Sequence, residues 1–276
     1  ACDRARLGAR VENYAKNAGF ANASGYVDVP VVIPACNPTF RLVTLCEELK
    51  SAGIRYIVIV DDGSDEQHRE TIAEAAERSD CVVLKHAVNL GKGRALKTAF
   101  NYLLTVHPEA AGCVTASADG QHTPEDIVRC ARELVIHGDQ LILGDRDFDR
   151  DVLPKASRTG NKAARLAFRF MVGINLRDVQ TGLRGIPHSF LQPFLTVVGE
   201  RYEFETNTLI YCKKNDLGVF EFPIQTIYKL IGLNTCGEYH IGDTLLYITP
   251  GISGWALPLR SEAHSRYEIF DLVPEK

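Results

Sequence analysis

Short apolar runs alternate with longer amphipathic segments along most of the chain, and this alternation limits the possible folds more than any other feature. The apolar runs, which end at turn residues, are Val29–Ile33, Tyr56–Val60, Cys81–Leu84 and Gly112–Ala116. The segments that follow them, with apolar residues at helical spacing, are Leu42–Ala52, Thr71–Arg78, Gly91–Leu104 and Pro124–Val135. The alternation predicts βαβ units and an α/β fold with a mostly parallel sheet.

Polar clusters follow the ends of the predicted strands. They occupy residues 34–38, 61–64, 89–93 and 117–122. In a parallel sheet the carboxyl ends of the strands share one edge, and ligands bind beyond that edge. We therefore expect these clusters to lie together and to form the functional site. A further predicted strand, Leu141–Leu143, precedes Arg146, and we interpret residues 139–228 as the acceptor side of the same domain.

Composition excludes several classes of protein. The chain of 276 residues is 45% hydrophobic and 24% charged, with a formal net charge of −4, which indicates a globular domain and argues against a nucleic-acid-binding protein. The eight cysteines include no CxxC pair, so we interpret them as free thiols in a reducing cytosol. No apolar stretch reaches the roughly 20 residues of a membrane-spanning helix, and the expected location is cytoplasmic.

Two of the polar clusters allow both a functional and a structural interpretation. The Asp61–Ser64 cluster offers carboxylates to a ribose or nucleobase, but the same residue types are common in tight turns. The Asn89–Arg94 loop opens a helix with two glycines and includes the cation Lys92. Backbone N–H groups at the start of a helix favour phosphate, although a flexible turn explains the glycines equally well.

The Ser117–His122 cluster makes the most specific prediction. Asp119 and Gln121 place a carboxylate and a carboxamide two positions apart at the end of a strand. Mg²⁺ or Mn²⁺ needs only one or two protein carboxylates when phosphate oxygens complete its coordination. The pattern predicts a divalent cation held by Asp119 and Gln121 against a diphosphate, with His122 as a supporting or capping group.

Arg146 and Arg158 add cations to an otherwise acidic chain. A guanidinium group binds phosphate oxygens in pairs, which favours a phosphate site. Salt bridges to neighbouring aspartates are the structural alternative. The Tyr202–Glu205 segment opens a predicted helix, and its glutamates are also favourable there for electrostatic reasons alone, so their role stays open.

Taken in their order along the chain, the clusters resemble glycosyltransferase family 2. The segments that carry this resemblance are residues 32–38, 60–64, 89–93 and 118–122. The segments Gly144–Arg146, Ser157–Asn161, Gln180–Arg184 and Tyr202–Glu205 resemble the branch that glycosylates dolichyl phosphate and other polyprenyl phosphates. The resemblance extends over about residues 28–228.

The resemblance implies one catalytic domain with the GT-A fold, a Rossmann-like, mostly parallel sheet flanked by helices. It implies an inverting, metal-dependent transfer of a sugar from a nucleotide-diphosphate sugar to a polyprenyl phosphate, at the cytoplasmic face of a membrane. The implied donor-binding residues are Pro34, Cys36, Asp62, Lys92 and Asp119. The implied metal ligands are Asp119 and Gln121, and the implied acceptor-phosphate ligands are Arg146 and Arg158. The implied catalytic residues are Asp119, Arg146 and Arg158.

The chain departs from the family pattern in places. The metal motif usually reads Asp-Ala-Asp, whereas Ser117 stands at its first position, and Cys36 stands where a tyrosine is usual. We expect the first change to weaken metal binding and the second to remove a contact to the nucleotide. Residues 1–27 are interpreted as an N-terminal extension, and residues 229–276 as a divergent C-terminal segment.

Two other functions stay open from the sequence. Ser117 and Cys36 favour a catalytically weakened protein that binds a nucleotide sugar without transferring it. The other alternative is an enzyme of the same fold that forms a nucleotide sugar. The paired cations Arg146 and Arg158 argue against this last function.

Overall fold

The computed structural model describes residues 28–146, 173, 176–179 and 181–225, and the backbone of residues 237–241 and 244–248. Arg158, Gln180 and residues 1–27 lie outside the described residues. The strands of the main sheet are β1 (Val31–Ala35), β2 (Ile57–Asp62), β3 (Val82–His86), β4 (Gly112–Thr115), β5 (Gln140–Arg146), β6 (Arg184–Pro187) and β7 (Gly218–Ile224). The helices described are α1 (Arg41–Ser51), α2 (Glu66–Ser79), α3 (Lys92–Val106), α4 (Pro124–Ile136), α5 (His188–Thr196) and α6 (Glu203–Lys214).

The main sheet has seven strands in the order β3-β2-β1-β4-β6-β5-β7. Strand β6 runs antiparallel to its neighbours β4 and β5, and every other pair is parallel. Strands β1 to β5 therefore end at one edge of the sheet, which we call the carboxyl edge, and β6 begins there. The topology confirms the predicted α/β class with a mostly parallel sheet.

Side-chain alternation explains why helices cover both faces of the sheet. In β1, Val31 and Ile33 pack into one apolar cluster with α1, α2 and α4, whereas Val32 packs into a second cluster with α3, α5 and α6. In β2, Ile59 and Val60 divide between the two clusters in the same way. Strands buried on both faces read as continuous apolar runs, which is why the sequence reveals them.

The structure extends two sequence assignments and corrects one. Helix α2 begins at Glu66 rather than at Thr71, because Asp65 has the extended conformation of an N-cap residue. The strand expected at Leu141–Leu143 extends over the whole of β5. The correction is at Arg184, which pairs with β4 and β5 as the first residue of β6, where the sequence predicted no strand.

The chain divides into two compact units, Ala1–Ile227 and Tyr228–Lys276. Within the second unit the structure describes one antiparallel pair of strands, β8 (Gly237–Ile241) and β9 (Thr244–Ile248). Among the described residues, no helix has both the length and the apolar character needed to cross a membrane.

The turn after β2 packs directly against the loop after β3. Gly63 has a φ of +70°, a conformation that side chains with a Cβ adopt at a cost. A Cβ atom at this position would lie 2.2 Å from the carbonyl carbon of Val88 and 2.4 Å from the amide nitrogen of Asn89. The close approach of these two loops therefore requires glycine at position 63.

We expect Gly63→Ala to destabilise the protein by at least about 2 kcal/mol, because a strained φ adds to a clash with backbone that cannot move aside. Gly138→Ala is the matched control, since a Cβ there would meet only the Leu134 carbonyl oxygen at 3.8 Å. Urea denaturation of both variants measures the difference. Equal free energies of unfolding would contradict the proposed packing of the two loops.

Candidate active site

Hydrogen bonds join the loops that follow β1 and β2. The Asn37 amide N–H donates to Ser64 Oγ at 3.0 Å, and Ser64 N–H donates to Asp61 Oδ1 at 2.9 Å. Asn37 and Asp65 exchange two further bonds of 2.9 and 2.8 Å. The tight turn that the sequence suggests at residues 61–64 is therefore present. Its hydrogen bonds hold it against the loop that follows β1, the strand that contains Pro34.

Asp62 organises the loop that leads into α3. Its Oδ1 accepts from His86 Nδ1 at 2.7 Å and from Leu90 N–H at 2.9 Å, and its Oδ2 accepts from Gly91 N–H at 2.8 Å. The carboxylate is only 4% exposed, so these bonds form away from water. Because Asp62 fixes Gly91, it also sets the position of the next residue, Lys92.

Cys36 lies at the surface of the same region. Its side chain is exposed, and its sulfur accepts a hydrogen bond from Asn89 Nδ2 at 3.2 Å. The structure therefore places Pro34, Cys36 and Asp62 at or just beyond the carboxyl ends of the neighbouring strands β1 and β2. Their proposed contacts to a nucleotide stay a prediction.

Lys92 reaches from the start of α3 to the start of α6. Its Nζ lies 2.9 Å from Glu205 Oε1 and 3.0 Å from Oε2, and 5.9 Å from the centre of the Tyr202 ring. Lys92 and Glu205 are mostly buried, with 19% and 10% of their side chains exposed. The Tyr202–Glu205 segment, whose role the sequence left open, thus contacts the predicted donor-binding lysine.

Asp119 and Gln121 lie against each other in the loop after β4. Asp119 Oδ1 accepts from the Gln121 amide N–H at 3.1 Å, and Oδ2 accepts from Gln121 Nε2 at 2.6 Å. Rotation of the Gln121 amide would place its oxygen beside Asp119 Oδ2, so the pair fits a hard divalent cation that phosphate oxygens also coordinate. Among the described residues, no group of three or more His, Cys, Asp or Glu side chains could hold a metal without such help.

His122 is a buried, neutral side chain at the same loop. It is 3% exposed, and its Nδ1 accepts a hydrogen bond from the Ser117 amide N–H at 3.2 Å. Burial, with the positive charges of Lys92 and Arg146, lowers the pKa of His122 to about 3. The charges of Lys92 and Arg146 thus both disfavour protonation of this imidazole.

Gly182 marks the point at which these groups converge. A Cβ atom at this residue would lie 3.1 Å from Ser117 Oγ, 3.2 Å from Lys92 Nζ and 3.6 Å from His122 Cε1. The three side chains therefore surround one position beside the backbone of the loop that leads into β6. A larger residue at position 182 would displace the lysine and the serine.

Arg146, at the end of β5, pairs with Asp178. Its Nε lies 2.5 Å from Asp178 Oδ2, and its Nη2 lies 3.1 Å from Oδ1. Asp178 is fully buried, whereas Arg146 keeps 23% of its side chain exposed. The aspartate orients the guanidinium group. Arg158 lies outside the described residues, so its predicted place beside Arg146 stays a prediction.

Arg184 connects the loop before β6 to α6, a role that no motif in the sequence indicates. This guanidinium is 2% exposed and donates to the Thr181 carbonyl at 3.0 Å, to the Glu205 carbonyl at 2.6 Å and to Thr208 Oγ1 at 3.0 Å. Burial lowers the pKa of Arg184, and the carboxylates of Glu205 and Asp178 oppose that effect. Arg184 therefore joins the loop before β6 to the first turn of α6.

The comparisons with known proteins identify the family. The sequence pattern of glycosyl transferase family 2 matches residues 31–194, and the chain belongs to this family. A UDP-N-acetylglucosamine–dolichyl-phosphate N-acetylglucosaminyltransferase of Methanococcus voltae is 28% identical over 236 residues, which cover 79% of this chain and 92% of the relative. A polyprenol monophosphomannose synthase of Mycolicibacterium smegmatis is 25% identical over 233 residues, covering 81% and 87% of the two chains. These relatives confirm the resemblance to the polyprenyl-phosphate branch.

A solved structure confirms the fold. Glucosyl-3-phosphoglycerate synthase from Mycobacterium tuberculosis, solved with Mn²⁺, UDP and glucosyl-3-phosphoglycerate, superposes with a TM-score of 0.51 at 18% identity. The alignment covers 78% of this chain and 73% of that protein. The sheet of this chain is therefore that of the GT-A glycosyltransferases, as the resemblance implied.

We expect the free energy of unfolding to fall as the pH decreases from about 6.5 towards 3, because the unfolded chain protonates His122 while the folded chain keeps it neutral. This one group contributes a slope of up to about 1.4 kcal/mol per pH unit. His122→Asn removes the titrating group and should flatten the curve. Urea denaturation between pH 7 and pH 4.5, in buffer with a chelator, measures both slopes, and identical slopes would contradict the assignment.

Proposed function

We propose that this protein transfers a sugar, with inversion at the anomeric carbon, from a nucleotide-diphosphate sugar to a polyprenyl phosphate. Membership of glycosyl transferase family 2 supports the reaction class. The names of the two relatives above, a dolichyl-phosphate and a polyprenol-phosphate sugar transferase, support the acceptor class. The polyprenyl chain of such an acceptor resides in a lipid bilayer, so we propose that the protein works at the cytoplasmic face of a membrane.

The observation that carries the proposal is that two ordered cations lie at the carboxyl edge: Lys92 Nζ lies beside Ser117 and His122, and Arg146 is held by Asp178 at the end of β5. Both substrates of the proposed reaction present phosphate groups, and both must approach one anomeric carbon. Two cations held apart by a buried network reduce the repulsion between these anions. Lys92 would face the donor diphosphate, and Arg146, together with Arg158, would bind the acceptor phosphate.

The proposed displacement needs no protein base. A phosphate monoester has a second pKa near 6 and is largely a dianion at neutral pH, so its oxygen attacks without losing a proton to the protein. The new bond forms between this oxygen and the anomeric carbon, and the bond to the diphosphate oxygen breaks with its electron pair on the diphosphate. One displacement on the face opposite the leaving group inverts the anomeric configuration.

The chain's own residues hold the substrates for this displacement. Arg146 would fix the attacking oxygen in line, because Asp178 already sets the direction of its guanidinium group. Asp62 would act indirectly, by fixing the loop that carries Lys92. Asp119 and Gln121 would hold Mg²⁺ or Mn²⁺, which when bound supplies positive charge to the leaving diphosphate.

A protein that binds nucleotide sugars with weakened catalysis is the second candidate. Ser117 favours it, because a hydroxyl group replaces one carboxylate of the usual metal motif. Lys92 Nζ and Ser117 Oγ both lie close to the same point beside Gly182. The positive charge of Lys92 would therefore supply part of the charge that a metal ion supplies in proteins that keep both carboxylates of the motif.

A transfer assay separates the two candidates. Radiolabelled UDP- and GDP-sugars are incubated with the chain, Mn²⁺ or Mg²⁺, and a polyprenyl phosphate in detergent or vesicles. Label in the lipid fraction that depends on the polyprenyl phosphate supports the transferase. Binding of a nucleotide sugar without labelled lipid under all these conditions supports the weakened binding protein.

We expect Asp119→Ala to abolish the increase in donor affinity that Mn²⁺ produces, because it removes the only carboxylate of the motif. Calorimetric titration of the nucleotide sugar, with Mn²⁺ and with a chelator, measures this increase. Asp139→Ala, a change near the opposite end of β5, is the control and should keep the full metal effect. An undiminished metal effect in Asp119→Ala would place the metal elsewhere.

The role of Arg146 is best tested together with its buried partner. In the double variant Arg146→Gln, Asp178→Asn both members of the ion pair are removed, so neither is left without the other. Because charge-assisted hydrogen bonds contribute about 1.5–3 kcal/mol each, we expect kcat/KM for the polyprenyl phosphate to fall by about 10- to 150-fold. The affinity for the nucleotide sugar should change little.

Arg78→Gln, on the exposed surface of α2, is the control for loss of an arginine. An equal loss of nucleotide-sugar affinity in the double variant would argue against an acceptor role. So would a lower melting temperature with unchanged kinetics in the folded fraction.

A further inference from the structure

We propose that His122 donates a hydrogen bond from Nε2 to a phosphate oxygen of a substrate, in a subsite that it forms with Ser117 and Lys92. The inference rests on the proposed function only for the nature of the substrate. It gives a ligand-binding role to a side chain that the sequence suggested only as a supporting group.

The hydrogen bond at the other ring nitrogen fixes the position of the proton. The Ser117 backbone N–H donates to His122 Nδ1 at 3.2 Å, so Nδ1 carries a lone pair and no hydrogen. The proton of the imidazole is therefore on Nε2. The backbone of the metal loop thus selects the tautomer in which Nε2 is a donor.

This donor has no acceptor within the described part of the chain. His122 is 3% exposed, and none of the described residues accepts a hydrogen bond from its Nε2. An acceptor that arrives with a ligand would satisfy the donor.

The donors around His122 favour an anionic acceptor, although Lys92 Nζ also lies 2.9 Å from Glu205 Oε1. Ser117 Oγ, Lys92 Nζ and His122 Cε1 lie 3.1, 3.2 and 3.6 Å from the position of a Cβ atom at Gly182, so they face one small region. Hydroxyl, ammonium and imidazole N–H groups are all hydrogen-bond donors. Arg146 adds a second positive charge that acts on the same imidazole.

A phosphate oxygen is the acceptor that fits this set of donors. Two substrates of the proposed reaction could supply it: the diphosphate of the nucleotide sugar or the phosphate of the polyprenyl acceptor. The chemistry of the subsite is the same in both cases. The experiment therefore measures the two sources separately.

Two substitutions separate the two ring nitrogens. His122→Asn places an amide oxygen near the position of Nδ1, so it keeps the acceptor for Ser117 N–H and loses the donor. His122→Gln extends its amide to the position of Nε2 and can keep that donor. His137→Asn, in the turn after α4 at the opposite edge of the sheet, is the matched control.

The first arm measures binding of UDP, GDP and their nucleosides by calorimetry in buffer with a chelator, so that no metal contributes. The second arm measures KM for a polyprenyl phosphate in the transfer assay. We expect His122→Asn to lose about 10- to 100-fold in one arm, His122→Gln to recover part of that loss, and His137→Asn to match the wild type. Melting temperatures show whether each variant is folded.

The pattern of losses identifies the source of the phosphate. Weaker binding of nucleoside diphosphate with unchanged binding of nucleoside assigns the subsite to the donor diphosphate. A higher KM for polyprenyl phosphate with unchanged nucleotide affinity assigns it to the acceptor. A chain that binds nucleoside diphosphate through His122 but transfers no sugar would contradict the proposed transferase and leave the subsite supported.

Three results would overturn the inference. The first is wild-type affinity and KM in a folded His122→Asn variant. The second is an equal loss of nucleoside and nucleoside-diphosphate affinity, which would indicate a general distortion of the loop. The third is a wild-type chain that binds neither nucleoside diphosphate nor polyprenyl phosphate.

Discussion

The buried guanidinium group of Arg184 is the interaction on which the site depends. It bonds the carbonyl groups of Thr181 and Glu205, and so it joins the loop before β6 to the first turn of α6. The carboxylates on either side, Glu205 and Asp178, then hold Lys92 and Arg146. The charges of these two carboxylates also act on the Arg184 guanidinium group.

Burying this many charged groups costs desolvation free energy, and a sheet made only of βαβ units would not need to bury them. The antiparallel strand β6 explains why the charges are tolerated here. It begins at the carboxyl edge with Arg184, between β4 and β5, and so it places a fixed cation at the centre of the edge. Buried ionic groups that cost stability thus hold Lys92 and Arg146 in fixed positions.

The sequence predicts the parts of this molecule whose cause is local. Apolar runs predict strands β1 to β4, of which β1, β2 and β4 are largely buried on both faces, and the polar clusters after them predict the carboxyl edge. The ends of the helices are predicted less accurately, since α2 begins at Glu66 and not at Thr71. Arg184 and Asp178 could not be predicted, because their partners lie on β5 and α6 and a buried charged residue has the same sequence signature as an exposed one. Strand β6 was missed for a related reason, since four residues with Arg and Gly at the start resemble a turn.

The three hydrogen bonds on Asp62 have a consequence for the thermodynamics of ligand binding. They immobilise the loop before α3 when the protein folds, so a nucleotide bound there as proposed would meet a loop that is already ordered. The conformational entropy of this loop is therefore lost once, in folding, and is not lost again in each binding event. Nucleotide association beside this loop should then resemble the docking of two rigid surfaces. The entropic penalty should be small, and the rate should be limited by diffusion and orientation.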